Sequence, residues 1–492
     1  MRKVNTIINP MTGKWILLCA TASLAVSAAG AESPVLGLRE AVRISLDNSP
    51  EAARAMEELG LARLAEPGLL AETDPEFSAG ASLLDDRSPR AAPAFQGSFT
   101  KSRTYSAALS ETLLTGTEAK LSFTNERVEN PAIFRLLDPT VDSRLTFEVR
   151  QPLLKRFWGR PDKAKRSQFR AQVRSAERAL DRVRERVASG TVQAYLRVRT
   201  ALDELRIFEM EEEDSRALLK TYAEKRPYGL VEETDLLQAR ASVEARSIET
   251  ELARSRLNLA RDALKYAMGV EEAGGDLEDP PDAALPGTEE AALALAGSRR
   301  GDLSALRSEV ERLEWGLKVS RLERLPDLSL VGSYAAAGLD RSAGPAMSDM
   351  GSFDHRVLSG GLFLNVPLGS RKEKIRIEEA EKRLAAARRD LETLARGLKL
   401  EVRRALEKKR ESAGRLEAVD RLVQLEEEKL EAEKKDFARG RSNTDLVLRF
   451  MTDVRQARIR RLGAELDHRL ASAELAEASG ILLDWVEGGS RP

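Results

Sequence analysis

The sequence predicts a mainly helical protein that also carries membrane β-strands and consists of two structural repeats. Three observations predict this fold class. Long charged segments repeat their apolar residues at alternating steps of four and three, short stretches alternate apolar and polar residues, and the same order of segments occurs twice. Packed helices, pleated strands and a duplicated arrangement are therefore expected.

Composition favours long solvated helices and gives no sign of a nucleic-acid partner. The 492 residues include 79 Lys and Arg against 80 Asp and Glu, so there is no basic excess for a phosphate backbone. Charged residues make up 32% of the chain and aromatic residues only 5%. This balance is typical of helices with one charged face.

Residues 1–31 have the pattern of an export signal peptide. Basic residues precede the apolar run at 15–26, and the small residues Ala29 and Ala31 predict cleavage before Glu32. The single cysteine, Cys19, follows Leu18, whereas lipid attachment usually requires Gly, Ala or Ser at that place. We therefore expect Cys19 to be removed with the signal, which leaves a mature chain without disulfides or thiolate ligands.

Helical periodicity is clearest in two long segments. Apolar residues recur at steps of four and three through 167–187 and again through 384–406. Such stripes are far more often the packing seam between helices than a binding face. We predict long helices over about 160–228 and 370–439, with shorter ones at about 38–72, 230–268, 288–324 and 441–479.

Strand-like alternation occurs in short stretches bounded by turn residues. The stretches are 105–123, where two runs flank Gly116, and 143–152, 327–335 and 356–367. Segments of about ten alternating residues are typical of membrane β-barrels, although a soluble sandwich would give the same pattern.

The order of helix, strands, long helix, glycine break and shorter helix occurs in residues 32–280 and again in 281–492. Pro152 matches Pro367, each where a strand gives way to a long helix, because proline lacks the N–H that continued pairing needs. Gly229 matches Gly440 at the two helix breaks. The first repeat is longer between its prolines, which predicts extra strands or a long loop there.

At these residues the chain resembles the TolC-like outer membrane efflux protein family. The motifs that carry the resemblance are GLVEETDLLQAR and GRSNTDLVL at the helix breaks, QPLL and VPLG at the strand-to-helix junctions, and the opening LREAVRISLDNSPEAARA. The resemblance implies a homotrimeric outer-membrane β-barrel, with four strands per protomer, continuous with a long periplasmic α-helical barrel.

That resemblance also implies a function. The protein would be a passive duct through which small molecules or proteins leave, as in tripartite efflux and type I secretion. It would couple to a periplasmic adaptor protein and an inner-membrane pump, lie in outer-membrane lipid with most of its chain in the periplasm, and need no cofactor. The alternative is a periplasmic coiled-coil structural or adaptor protein that never enters the membrane.

The two glycine breaks would form the periplasmic tip of the duct. By resemblance, Gly229 and Gly440 turn the helices back, while Asp235, Arg441 and Asp445 fall where contacts close the entrance. Three copies of Asp445 around one axis would favour cation binding. A second interpretation is that Asp235 and Asp445 only cap the returning helices, since a carboxylate accepts hydrogen bonds from open N–H groups. The two roles are compatible.

No catalytic motif accompanies these features. The two histidines, His355 and His468, lie far apart in the sequence and lack the spacing of metal ligands or of a catalytic triad. The sequence also contains no glycine-rich phosphate loop and no nucleophile elbow. We therefore predict neither an enzyme nor a metal protein, and transport energy must come from a partner.

Overall fold

The computed structural model describes residues 35–133, 135–228, 231–272, 276–280, 284–439, 441–442 and 444–488, so the predicted signal peptide lies outside the described residues. Within these ranges the α-helices are α1 (Leu38–Asn48), α2 (Pro50–Ala71), α3 (Pro93–Gln96), α4 (Arg160–Lys225), α5 (Glu233–Met268), α6 (Glu289–Arg299), α7 (Gly301–Glu323), α8 (Ala343–Ser352), α9 (Arg371–Ala438), α10 (Thr444–Ala478) and α11 (Leu482–Val486).

The strands form one antiparallel sheet in sequence order. They are β1 (Glu76–Asp86), β2 (Thr100–Thr112), β3 (Glu118–Glu129), β4 (Thr140–Pro152), β5 (Asp327–Asp340) and β6 (Arg356–Asn365). The resemblance implies four strands per protomer, and the structure corrects this number to six. The additional residues of the first repeat are strands and not a loop, because all four of its strands pair in the sheet.

Corresponding helices of the two repeats have nearly the same length, in agreement with the ranges predicted for the long helices. Helix α4 has 66 residues, roughly 100 Å, and lies beside helices of 11, 22 and 36 residues, α1, α2 and α5. In the second repeat α9 has 68 residues, and its partners α6, α7 and α10 have 11, 23 and 35. The predicted apolar stripes are the packing seams, since Leu180, Leu398 and Val402 are buried.

The shorter opening helix predicted for each repeat is in fact two helices. In the first repeat the chain breaks at Ser49, whose hydroxyl accepts a hydrogen bond from the N–H of Ala52 at 3.3 Å, and Pro50 starts the next helix. Proline suits the first helical turn, where its missing N–H is not needed. In the second repeat the break falls at Arg300, and Gly301 lets the start of α7 approach the backbone of α4.

The main apolar core lies midway along α4, where it meets α1, α11 and the C-terminal ends of α5 and α10. Tyr195 of α4 is completely buried there, and its hydroxyl lies 2.8 Å from the carbonyl oxygen of Leu36 and 2.6 Å from that of Glu278. Leu36 also forms a bridge with Leu277 in the linker between the repeats. This core therefore holds the first segment of the described chain against the linker.

The two faces of the sheet differ in chemistry. Residues that are direct partners across all six strands make one apolar row, which is Phe77, Leu109, Leu121, Phe147, Tyr334 and Leu358. The adjacent row on the opposite face is polar and consists of Glu76, Ser110, Lys120, Glu148, Ser333 and Ser359. Most of the large apolar side chains on the first face are exposed in the single protomer.

On β2, charged residues bound the apolar face at both ends. On β2 this face carries Glu111 at one end and Arg103 at the other, eight residues apart and separated by Leu109, Ala107 and Tyr105. Eight residues span roughly 27 Å along a strand, which fits an apolar band about 25 Å tall. Short helix α8 packs on the far end of this face, against β4 and β5. None of the described helices is both long and apolar enough to cross a membrane.

Candidate functional site

The first helix break is a short turn closed by a reciprocal cap. After α4 a 3-10 turn covers Arg226–Tyr228, and α5 begins at Glu233. The backbone N–H of Glu232 donates to the Asp235 carboxylate at 3.3 Å, while the Glu232 side chain accepts from the Asp235 backbone. Asp235 therefore caps its own helix. The matching Gly229 lies outside the described residues.

The second break is held by backbone hydrogen bonds of the helix that ends there. The N–H of Arg439 donates to the carbonyl oxygens of Lys435 and Asp436, and the N–H of Arg441 donates to Asp436 at 2.9 Å. Arg441 is exposed, and Asp445 lies in the first turn of α10. Gly440 falls outside the described residues, as Gly229 does.

The two breaks contact each other within one protomer. The side-chain amide of Gln238 donates to the Asp445 carboxylate at 3.2 Å, which joins α5 to α10. Just before the two breaks, the ring centroids of Tyr222 on α4 and Phe437 on α9 lie 6.3 Å apart, and Tyr222 is 1% exposed. Gln238, Tyr222 and Phe437 were not predicted from the sequence, although the aromatic residue a few positions before each break was the available signal.

Asp235 and Arg441 do not form an ion pair within the protomer, as far as the described residues extend. The Asp235 carboxylate accepts from its own backbone, and the nearby ion pair joins Arg226 to Glu233. The helix-capping interpretation of Asp235 thus has a structural basis in one chain. A contact between Asp235 and Arg441 of adjacent protomers, and the role of Asp445 in a gate, stay predictions.

A cluster of four charged side chains, called here the tip ionic cluster, joins three helices further from the break. Its members are Glu211 of α4, Arg246 and Glu249 of α5, and Arg455 of α10. Arg455 Nε lies 3.6 Å from Glu211 Oε2, and its guanidinium also pairs with the Glu249 carboxylate. Arg455 is only 9% exposed.

Burial raises the pKa of Glu211 to about 7, although the guanidinium groups of Arg455 and Arg246 act in the opposite direction. The nearby Glu249 carboxylate also raises this pKa. The cluster therefore holds a carboxyl group that titrates near neutral pH. The sequence predicts solvated charged faces for these helices, because heptad spacing does not show which arginine faces a neighbouring helix.

The structure places both junction prolines near strand ends. Pro152 is the last residue of β4 and lies opposite Ser329, after which the N–H of Leu153 still donates to the carbonyl of Leu328 at 2.6 Å. Pro367 follows the last residue of β6 by two positions and precedes α9. These positions agree with junctions between sheet and helix, while the effect of the prolines on assembly stays a prediction.

We expect Pro152→Ala together with Pro367→Ala to reduce the amount of assembled oligomer, because each change frees φ at a position where a strand ends and the chain turns towards a long helix. The measurement is the yield of heat-resistant oligomer on semi-native gels. Pro93→Ala, in the hairpin connection between β1 and β2, is the matched control and should leave the yield unchanged. Equal yields for the double variant and the parent would contradict a structural role.

His355 and His468 have separate polar contacts. His355 Nδ1 lies 3.2 Å from an Asp349 carboxylate oxygen on the exposed connection between β5 and β6. His468 Nδ1 lies 3.2 Å from the Ser412 hydroxyl, between α10 and α9. In the described part of the chain, no group of three or more His, Cys, Asp or Glu side chains is placed to hold a metal ion.

The model of the outer membrane efflux protein family matches residues 145–270 and 292–481, one match in each repeat. This confirms the resemblance predicted from the sequence. The repeat boundaries 32–280 and 281–492 stay a prediction. No curated protein matches the chain.

Solved structures show the same fold. A membrane protein from Pseudomonas aeruginosa is 20% identical, with a TM-score of 0.63 over 90% of this chain and 93% of that one. The outer membrane protein VceC of Vibrio cholerae is 14% identical, with a TM-score of 0.63 over 90% and 96%. The open state of the MtrE outer membrane channel of Neisseria gonorrhoeae is 15% identical, with a TM-score of 0.63 over 92% and 90%.

Proposed function

The chain belongs to the outer membrane efflux protein family. From that premise we propose that three copies form one duct, which receives its cargo from an inner-membrane pump and a periplasmic adaptor. The family function is that of an exit duct in the outer membrane, with most of the chain in the periplasm. The mainly helical fold with one antiparallel sheet is confirmed, and in the proposed trimer its strands form an outer-membrane β-barrel continuous with a helical barrel.

The observation that carries the proposal is the two-faced sheet on top of helices of equal length. An apolar outer row and a polar inner row are what a wall between lipid and an aqueous lumen requires. The rival, a periplasmic coiled-coil adaptor, accounts for the helices but leaves this apolar face without a partner. The duct itself is passive and has no catalytic role. The pump supplies the energy that moves small molecules or proteins through it.

The tips formed by the two helix breaks would be the gate. Asp445 is exposed at the start of α10, and Arg441 is exposed beside it, so both are available to a neighbouring protomer. An exposed ion pair contributes up to about 1 kcal/mol. Three such contacts between Asp235 and Arg441 around a trimer are enough to bias a closed state that differs from the open one by a few kcal/mol.

The gate predicts specific changes in conductance. Arg441→Ala and Asp235→Ala should raise the open fraction of purified trimers in planar bilayers, since each removes one side of the contact. Asp445→Ala should weaken block by multivalent cations, because it removes a ring of three carboxylates. The measurement is single-channel current with and without a trivalent cation.

A matched control comes from the exposed pair Arg415–Asp467, 3.1 Å apart and far along α9 and α10 from the break. Arg415→Ala and Asp467→Ala make the same charge changes there and should leave gating unchanged. If all three tip variants conduct and block as the parent does, the gate lies elsewhere and these residues serve only the helix ends.

A further inference from the structure

We propose that three protomers close an 18-stranded barrel, in which β6 of one protomer pairs with β1 of the next and each protomer supplies all six of its strands. The proposal rests on the proposed trimeric duct and goes beyond it, because the resemblance implies only four strands per protomer. Six is an even number, so β1 and β6 run in opposite directions and the seam between protomers is antiparallel like every other pairing in the sheet.

The hydrogen-bond register is continuous across all six strands. Strand β2 pairs with β3 over twelve residue pairs from Lys101 to Thr112, and β1 pairs with β2 along its whole length from Glu76 to Asp86. The apolar row and the polar row both run from β1 to β6 without interruption. The first two strands therefore have the same outer and inner faces as the other four.

The turn between β2 and β3 is held against β4 and the start of α4. The N–H of Gly116 donates to the carbonyl of Leu113 at 2.7 Å, and the Thr117 hydroxyl donates to the side chain of Gln151 on β4. A Cβ added at Gly159, at the start of α4, would lie 2.0 Å from the Leu114 carbonyl oxygen. The hairpin thus ends against the strand-to-helix junction and is not folded away from the sheet.

The ends of the six strands are staggered along the sheet. The row that starts at Glu76, the first residue of β1, reaches β6 at Ser359, and β6 continues for six residues to Asn365. If the strand ends are level at the membrane surface, Glu76 of the next protomer lies opposite Asn365. The stagger is then one residue per strand. A rise of about 3.3 Å along each strand for every 4.8 Å or so between neighbouring strands gives the strands a tilt of roughly 35° from the barrel axis. Membrane barrels have tilts of about 35–45°.

The seam that this stagger creates between protomers pairs apolar residues with apolar residues. It places Phe77 opposite Leu364 and Leu83 opposite Leu358, with all four side chains on the apolar face. In the single protomer Leu83 and Leu358 are 80% and 81% exposed. An even shift keeps the two faces aligned, whereas a shift of one residue would place apolar side chains in the lumen.

The consequence is a wide exit. With strands about 4.8 Å apart and tilted by about 35°, eighteen strands enclose a barrel roughly 34 Å across, against roughly 23 Å for twelve. Barrels of 16 to 18 strands leave an aqueous channel after their inner side chains are placed. The barrel is therefore wide along its length, and the passage of cargo is restricted in the helical part of the duct.

Disulfide cross-linking tests the seam, in full-length protein whose single cysteine is removed by Cys19→Ser. The pair Leu83→Cys and Leu358→Cys should link protomers into a covalent trimer, because paired strand residues lie within disulfide reach. The control pair Phe77→Cys and Leu358→Cys lies in one row but five strands apart, and should not link. A twelve-stranded barrel that starts at β3 would instead link Ala119→Cys with Leu364→Cys.

Cryo-electron microscopy of the unmodified trimer in detergent provides the second readout, which does not depend on cysteine variants. Eighteen strands and a diameter near 34 Å are expected. A trimer with twelve strands, or linkage of the Ala119→Cys and Leu364→Cys pair, overturns the 18-stranded barrel but leaves the duct in place. A protein that never forms trimers overturns both proposals.

Discussion

Gly159→Ala is expected to destabilise the junction between sheet and helix by about 2–5 kcal/mol. Gly159 has φ of 65°, a left-handed conformation that costs other residues about 1–2 kcal/mol. Its new Cβ would also lie 2.0 Å from the carbonyl oxygen of Leu114, which is backbone and has little room to move. Relieving such an overlap typically costs about 1–3 kcal/mol more. The thermal unfolding midpoint and the oligomer yield measure the effect.

Gly332→Ala is the matched control for this experiment. Gly332 lies in β5 of the same sheet, and nothing is within 4 Å of the position that its Cβ would occupy. The control should unfold at the parent's temperature or slightly above it, since alanine restricts the unfolded chain. A Gly159→Ala protein as stable as this control would show that the turn between β2 and β3 does not press on the junction.

Arg455→Met is expected to destabilise the helical barrel by about 3–5 kcal/mol at pH 8. Methionine keeps the bulk but removes the nearer guanidinium from Glu211, whose remaining partner Arg246 lies 4.0 Å away, and a buried carboxylate that loses its nearer partner carries a penalty of this size. The control is Arg461→Met on the same helix. Its pair with Asp420 is about half exposed, so the expected loss is about 0–1 kcal/mol.

The same cluster predicts a pH dependence of stability. The folded-state pKa of Glu211 is about 7, above the ordinary value of 4.5, so the folded protein binds this proton more tightly than the unfolded chain does. The stability from this group is therefore fully present below about pH 4.5 and is lost as pH rises through about 7. Glu211→Gln should flatten the fall in the unfolding midpoint between pH 5 and 8.

The double variant Arg455→Met with Glu211→Gln separates the charge effect from packing. Neutral glutamine needs no cationic partner, so the double variant should recover part of the midpoint that Arg455→Met loses at pH 8 and little at pH 5. The unfolding midpoint followed by circular dichroism at both values gives the comparison. An Arg455→Met loss that is equal at both pH values and unchanged by Glu211→Gln would assign the effect to shape alone.

The helix breaks show how far sequence reasoning reaches at the candidate site. The positions of both breaks could be predicted, because glycine followed by polar residues and a capping carboxylate is a local signal. The contact of Gln238 with Asp445 could not be predicted, since it joins residues 207 positions apart. Likewise, the sequence shows that Asp235 is suited to capping but not whether its carboxylate also reaches a second chain.

The sequence alone determined the two long helices, the positions of the two helix breaks and the alternation within the predicted strands, because each depends on periodicities and turn residues within a few dozen positions. Only the tertiary structure decided that all six strands share one sheet, that the turn at Gly116 lies against Gly159, and that Arg455 is buried between two carboxylates. The physical reason is that alternation specifies which face of a strand is apolar, whereas its hydrogen-bonding neighbour, and the burial of a charge, depend on distant segments brought together by folding.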